Sequence, residues 1–297
     1  WKIDKDVDGK WEKVENWNSK DTLANSKDSV SDGSANPVDL KFAAHQVVLP
    51  KEDGKFILFG GEHTMVGNDE FKERSCRAFE LDVDARLITI LKRQGEFVPG
   101  FSGHSAVLHD KSLYTFGGMT TDENDDSEVR RFDLTTFTWS IVECNTRKPS
   151  KRLNHSSLLW EHDGKFEMLV LFGCTRARDF LSDVWAFDLQ KNTWRELKSK
   201  RKEKPSPRSK YAATMTDSKN GTLVLYGGET SEQKSNNELW RLDLSTMLWE
   251  HLSTSGDELE SAPVDSVVQG NRASILCDEN QVYIIDSGSI YMLDIQE

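Results

Sequence analysis

Histidines stand at one equivalent place in three similar stretches, as Ala44-His45-Gln46, Gly103-His104-Ser105 and Asn154-His155-Ser156. Gathered round a shared axis, three imidazoles could ligate a transition metal. Two features weigh against that reading. A fourth stretch carries Tyr211 in the same place, and no carboxylate or cysteine accompanies the histidines at ligand spacing. A hydrogen bond repeated between neighbouring units suits these positions better, so no metal is assigned. Cys76, Cys144, Cys174 and Cys277 lie far apart, with neither the paired short spacing of a zinc site nor the density of a disulfide frame. There is no serine elbow, no cysteine with a sequence-local base, and no carboxylate pair set in apolar surroundings. The expectation is therefore a protein without catalysis and without a cofactor.

Cations are the remaining candidates. Residues 145–152 carry four basic side chains and no acid, and residues 198–210 carry seven against the single Glu203, on a chain whose formal net charge is −12. Arg176 and Arg178 lie between them in sequence. Positive charge concentrated on an acidic protein marks a site for an anion, and an arginine fork can hold a carboxylate or phosphate in two places at once. The candidate partner-binding residues are Lys151, Arg152, Arg176, Arg178, Arg208, Lys210 and Tyr211. The expected ligand is an acidic or phosphorylated peptide, or a free chain terminus. Replacing Arg152, Arg176, Arg178 and Arg208 by glutamate is expected to abolish capture with little change in thermal stability.

What must position these loops is a set of repeats. Leu113-Tyr114-Thr115-Phe116-Gly117-Gly118 is followed by a polar loop, by Val129-Arg130-Arg131-Phe132-Asp133-Leu134, and by Trp139. The order returns with Phe59-Gly60-Gly61 and Phe79-Glu80-Leu81, with Phe172-Gly173-Cys174, Phe187-Asp188-Leu189 and Trp194, and with Tyr226-Gly227-Gly228, Leu242-Asp243-Leu244 and Trp249. Taking the first glycines as 60, 117, 173 and 227 gives steps of 57, 56 and 54 residues. In three units the tryptophan follows its aromatic or leucine by seven residues (132 to 139, 187 to 194, 242 to 249). Apolar runs are short, β-branched or aromatic, and bounded by Gly, Asp, Asn and Pro, so they are strands. Units of this length cannot bury an apolar face alone and must lean on one another in a ring.

A strand closed by two glycines, then an aromatic-and-aspartate strand, then a tryptophan at fixed distance: this pattern resembles the kelch-repeat family over nearly the whole chain. The resemblance implies an all-β, kelch-type β-propeller of four-stranded antiparallel blades. Third-strand signals point to six blades, with five as the alternative. The whole chain, 1–297, is one propeller domain: a partial repeat at 1–15, a polar linker at 16–42, then repeats at 43–92, 103–142, 154–197, 210–252 and 271–297. The first repeat offers Leu87 and Ile88 where the others place tryptophan. Both ends stop inside a repeat, so a longer parent protein is expected, with the ring closed from outside or by residues 11–14. The tryptophans are expected to pack between blades rather than to stack on a ligand. In the family an arginine after proline, ahead of the inner strand, commonly fixes its loop, and this is an equal reading for Arg152 and Arg208.

The resemblance further implies a protein-interaction module, a substrate receptor for a ubiquitin ligase or a cytoskeletal or polarity scaffold. The alternatives are the accessory propeller of a longer enzyme, phosphatase or methyltransferase, and a carbohydrate-active propeller. Net acidity speaks against general affinity for nucleic acid or membrane. Without an apolar run of about twenty residues or a basic-then-apolar opening, a cytoplasmic location is expected.

Overall fold

The computed structural model describes residues 18–21, 42–44, 47–51, 54–65, 68–74, 78–94, 100–120, 127–217, 219–231, 238–252, 273–278, 281–286 and 289–294. Among these residues there is no helix, and hence none long and apolar enough to cross a membrane.

Four antiparallel sheets of blade type follow one another, and together they form a β-propeller. Blade 1 is built from Val47–Pro50, Lys55–Phe59, Ala78–Asp82 and Leu87–Leu91. Blade 2 takes Ser105–His109, Ser112–Phe116, Val129–Asp133 and Thr138–Val142. Blade 3 takes Ser156–His162, Lys165–Leu171, Val184–Asp188 and Thr193–Leu197, and blade 4 Ala212–Asp217, Thr222–Tyr226, Leu239–Asp243 and Leu248–Leu252. A fifth sheet has three strands, Ala273–Asp278, Gln281–Asp286 and Ser289–Asp294. The first strand of each sheet lies against the first strand of the next. The signal for a sixth blade falls on residues 1–14, outside the described residues. Within the stretch read as a linker, Asn18–Asp21 pairs in parallel with Leu87–Leu91 and covers the outer edge of blade 1.

The aspartate of the third strand earns its place by turning the chain. Asp133 Oδ1 accepts the amides of Thr135 and Thr136 at 2.8 and 3.0 Å, and Phe137 closes the turn with φ +56°. Asp188 accepts from Gln190 and Lys191 before Asn192, and Asp243 from Ser245 and Thr246 before Met247, both closing residues being left-handed too. Backbone hydrogen bonds to the ionised form hold the Asp133 carboxyl below its usual range. Each such turn delivers the fourth strand and its tryptophan. The indoles then fill the seams, with ring centroids 5.2 Å apart for Trp139 and Phe59, 5.0 Å for Trp194 and Phe116, and 5.7 Å for Trp249 and Phe172.

One repeat is offset by a residue from the sequence reading. Ser105 pairs with Phe116 and Ala212 with Tyr226, so Ser156, paired with Leu171, makes Leu171 their equivalent. Phe172 therefore occupies the place of Gly117, with φ +51° against +65°, and Gly173 the place of Gly118. Glycines look interchangeable in sequence, but only strand register shows which one opens the turn. A left-handed backbone costs a side-chain-bearing residue about 1–2 kcal/mol. Phe172 offsets that by complete burial against Tyr211 and Trp249.

Candidate functional site

The loop between second and third strands and the segment leading into each blade meet on one face. Leu153 bridges Cys174, and Ser209 bridges Glu229. Phe42–Ala44 pairs with Glu62–Met65 and Phe101–Ser102 with Met119–Thr120, which places the same contact in blades 1 and 2. The residue two positions before the inner strand is left-handed in three blades: Gly103 (φ +66°), Asn154 (+52°) and Lys210 (+54°). Their peptides are linked across the blades, the Asn154 amide donating to Gly103 O at 2.8 Å and the Lys210 amide to Asn154 O at 3.1 Å. A rigid rim therefore presents whatever side chains project from it.

Of the histidine positions, His45 lies outside the described residues. His104 sits edge-on to Phe59 and His155 to Phe116, each on the preceding blade, at 5.0 and 5.7 Å between centroids. His155 Nε2 lies 2.6 Å from Ser105 Oγ, an interblade hydrogen bond. Burial first, then the charge of Arg152, hold the His155 imidazole well below its usual pKa. The glycine opposite makes room: a Cβ on Gly117 would come within 2.6 Å of the His155 ring. Tyr211 is equally internal. Its hydroxyl donates to Leu171 O and accepts the Ser156 amide at 3.1 Å, so both of its capacities are used, and burial raises its pKa. Tyr211 presents no group to a ligand.

The two loop arginines have the same character. Arg152 is fully buried, and all five of its N–H groups are engaged. Nε donates to Ser150 O at 3.1 Å, Nη1 to Phe172 O and Asp183 Oδ1 at 2.9 Å each, and Nη2 to Asp183 Oδ2 at 2.9 Å and Ser150 Oγ at 3.3 Å. Arg208, also fully buried, repeats the pattern: Nε to Ser206 O at 3.0 Å, Nη1 to Gly227 O at 2.9 Å, Nη2 to Glu238 Oε2 at 2.7 Å and to Ser206 Oγ at 2.9 Å. An indole completes each cluster, Trp185 Nε1 donating to Asp183 at 2.7 Å and Trp240 Nε1 to Glu238 at 3.0 Å. Burial alone would raise the Asp183 pKa, but the Arg152 contacts outweigh it and the carboxyl stays below its usual range. Both guanidiniums fix loops, so charge reversal there would strand a carboxylate and cannot be neutral for stability. Sequence carried a signal for these clusters in Asp183-x-Trp185 and Glu238-x-Trp240, where acid and indole share a strand face.

Four candidates remain on the surface of this face: Lys151, Arg176, Arg178 and Lys210. Arg178, with 60% of its side chain exposed, donates to Glu229 Oε1 at 2.7 Å, and Lys210 Nζ is 3.2 Å from Glu229 Oε2. Glu229 is thus an acid held by two cations at the rim. The basic loop 198–210 does not gather all its charge here. The Lys200 amide donates to Met247 O in the turn before the last strand of blade 4, which puts that part of the loop on the outer wall. Only its second half returns to the rim, where Lys204 Nζ donates to Ser182 Oγ at 3.2 Å.

On the other ends of the strands, between blades 3 and 4, sits a cluster that sequence reading passed over. Glu167, nearly fully buried, accepts from Arg195 Nε at 3.1 Å and Nη2 at 2.5 Å, and lies 2.7 Å from His162 Nε2. His162 stacks on Trp160 with centroids 3.8 Å apart. Burial opposes ionisation of Glu167, yet the Arg195 and His162 contacts hold its pKa below the usual range. Its oxygens are taken up by these partners, and the cluster staples the long first hairpin of blade 3.

The family model of the KLHDC2/KLHL20/DRC7 kelch-repeats domain matches residues 44–276. Acyl-CoA-binding domain-containing protein 4 of Arabidopsis thaliana is 34% identical over 157 residues, covering 52% of this chain and 22% of that protein. Tip elongation aberrant protein 3 of Schizosaccharomyces pombe is 29% identical over 224 residues, 64% of this chain and 19% of that protein. Kelch domain-containing protein 10 of Homo sapiens is 24% identical over 198 residues, 65% of this chain and 43% of that protein. The chain spans less than half the length of each of these relatives.

Proposed function

The chain belongs to the kelch-repeat family, and from that footing we propose that its interaction propeller captures a partner protein through acidic groups, as a non-enzymatic receptor or scaffold. The observation carrying this reading is the sorting of cations at the rim. Arg152 and Arg208 are consumed in holding two loops rigid, while on the same face Lys151, Arg176 and Arg178 are exposed and Lys210 is half-buried, on a chain with net charge −12. Glu229, itself half-buried, occupies two of them, the exposed Arg178 and the half-buried Lys210, at the edge of the rim. Such pairs are worth about 0–1 kcal/mol, so an incoming carboxylate or phosphate group can replace Glu229 at little cost. A rigid backbone rim adds little ordering penalty on binding.

The direct test is a labelled poly-glutamate peptide titrated at low salt against the chain and against the quadruple variant K151E/R176E/R178E/K210E. Affinity should fall by about tenfold or more, measured at a temperature where circular dichroism shows both proteins folded, because the variant also takes both cations from Glu229. Equal affinity in both proteins would remove the rim from consideration. The relatives are several times longer than their aligned parts, which favours a second reading in which this propeller docks substrates for another domain of a longer polypeptide. The full-length sequence distinguishes the two. We place the protein in the cytoplasm, where Cys144 and Cys174 would remain free thiols as they are here; fractionation of cells expressing the full-length protein checks it.

A further inference from the structure

We propose that Ser206 is a phosphorylation site for a proline-directed serine kinase, and that its phosphate switches off the basic rim. Ser206-Pro207 is the one Ser-Pro in the sequence, and there is no Thr-Pro. Ser206 is exposed, in a stretch, 203–208, that takes part in no strand. Pro205 and Pro207 lack amide hydrogens and keep the residues before them, Lys204 and Ser206, out of helical conformation and extended. An extended, exposed serine followed by proline is the shape a kinase cleft of this class takes up.

The surroundings are built for the product. The hydroxyl of Ser206 accepts Arg208 Nη2 at 2.9 Å, and the guanidinium behind it is fully buried, with Glu238 as its only carboxylate among the contacts described. In the reaction the γ-phosphoryl group of magnesium-bound ATP moves to Ser206 Oγ. The bond from phosphorus to the ADP oxygen breaks, the phosphorus–Oγ bond forms, and the hydroxyl proton passes to the kinase base. The product adds about −1.5 to −2 charges at a position already in contact with an arginine. Charge-assisted hydrogen bonds to Arg208 then favour the phosphate over Glu238. Lys204 and Lys210, two residues before and four after, come under the same negative field, so acidic partners lose their attraction to this side of the rim. That second half rests on the reading of the rim as an acid-binding surface.

Blade 3 supplies the control. Ser150 is also exposed, follows Pro149 and receives Arg152 Nη2 at 3.3 Å, but Lys151 follows it where Pro207 follows Ser206. The arginine contact alone is therefore a structural device, and Pro207 is what the second loop adds.

The chain is incubated with magnesium-ATP and a proline-directed kinase, mapped by peptide mass spectrometry, and titrated with the poly-glutamate peptide before and after. Phosphate on Ser206 and none on Ser150, with affinity for the peptide falling about tenfold or more, is the expected result. S206A should take no phosphate at this loop and bind peptide as the unmodified chain does, at the cost of a lower melting temperature from the lost bond to Arg208. Absence of phosphate from Ser206 overturns the site, and undiminished binding by the phosphorylated chain overturns the switch. Peptide bound by neither form overturns the acid-binding rim, while the phosphate map still decides the site.

Discussion

The seam between blades 2 and 3 and the seam between blades 3 and 4 solve one packing problem with different residues. In the first, Gly117 takes the left-handed turn, the ring of His155 fills the space over it, and Phe116 meets Trp194. In the second, Phe172 takes the turn itself and reaches Trp249, and a tyrosine, Tyr211, replaces the histidine. The fixed requirements are a left-handed backbone, a filled seam and a buried arginine tying the incoming loop to the third strand. Which side chain supplies the volume is free to vary. A repeat thus conserves geometry before it conserves residues.

The largest break should come at the arginines, and it should be unequal. Arg152→Ala leaves Asp183 uncompensated with 28% of its side chain exposed, and a cost of about 3–5 kcal/mol is expected from loss of one half of a buried pair. Arg208→Ala takes a cation from Glu238, which is 40% exposed and can regain water, so its loss should be smaller. Urea denaturation of both variants measures the order; an Arg208 variant hurt as much as the Arg152 one would contradict this account of the loops.

A finer test separates volume from backbone strain at Phe172. Phe172→Ala removes a fully buried ring and should cost about 3–5 kcal/mol. Phe172→Gly loses the same ring but relieves the left-handed backbone, so it should be the more stable of the two by about 1 kcal/mol. Were alanine the better tolerated, the assignment of this position to the glycine's place would be wrong.

The smallest effect is in pH. His155 stays neutral in the fold because its pKa is depressed, so below about pH 6.5 the unfolded chain binds a proton that the folded chain refuses. Stability should therefore fall on acidification from about pH 6.5, by at most about 1.4 kcal/mol per pH unit for this group. Asp183 acts in the same direction but lower: its depressed pKa contributes stability present above about pH 4 and lost as pH drops through the folded value. Tyr211, which takes the place of this histidine in the second seam, does not titrate in the upper window. Thermal melts of the wild type and of His155→Gln from pH 7.5 to 5 should show a steeper loss in the former.

Much of this was legible beforehand because the signals are local. Glycine pairs, the aspartate that caps the turn into the fourth strand, and the tryptophan six residues after it are local signals, so periodicity exposes the strands, the ring and the packing role of the indoles. The offset at Phe172 was hidden, since a residue's neighbour across a sheet is set by register and not by its neighbour in sequence. So was the fate of the cations. Arg152 and Arg208 meet their carboxylates 31 and 30 positions later, and nothing in a run of basic letters distinguishes a guanidinium turned inward from one turned out.

By itself, then, the sequence determined a ring of four-stranded sheets and the loops on which its charge would be displayed, because strand length, turn chemistry and repeat spacing are properties of short stretches. Only the tertiary structure decided which of those charges stay at the surface and which are buried, because burial and ion pairing depend on which distant segments the closed seams bring together. Lys151, Arg176, Arg178 and Lys210 are left outside by that packing, and Arg152, Arg208 and Tyr211 are taken in.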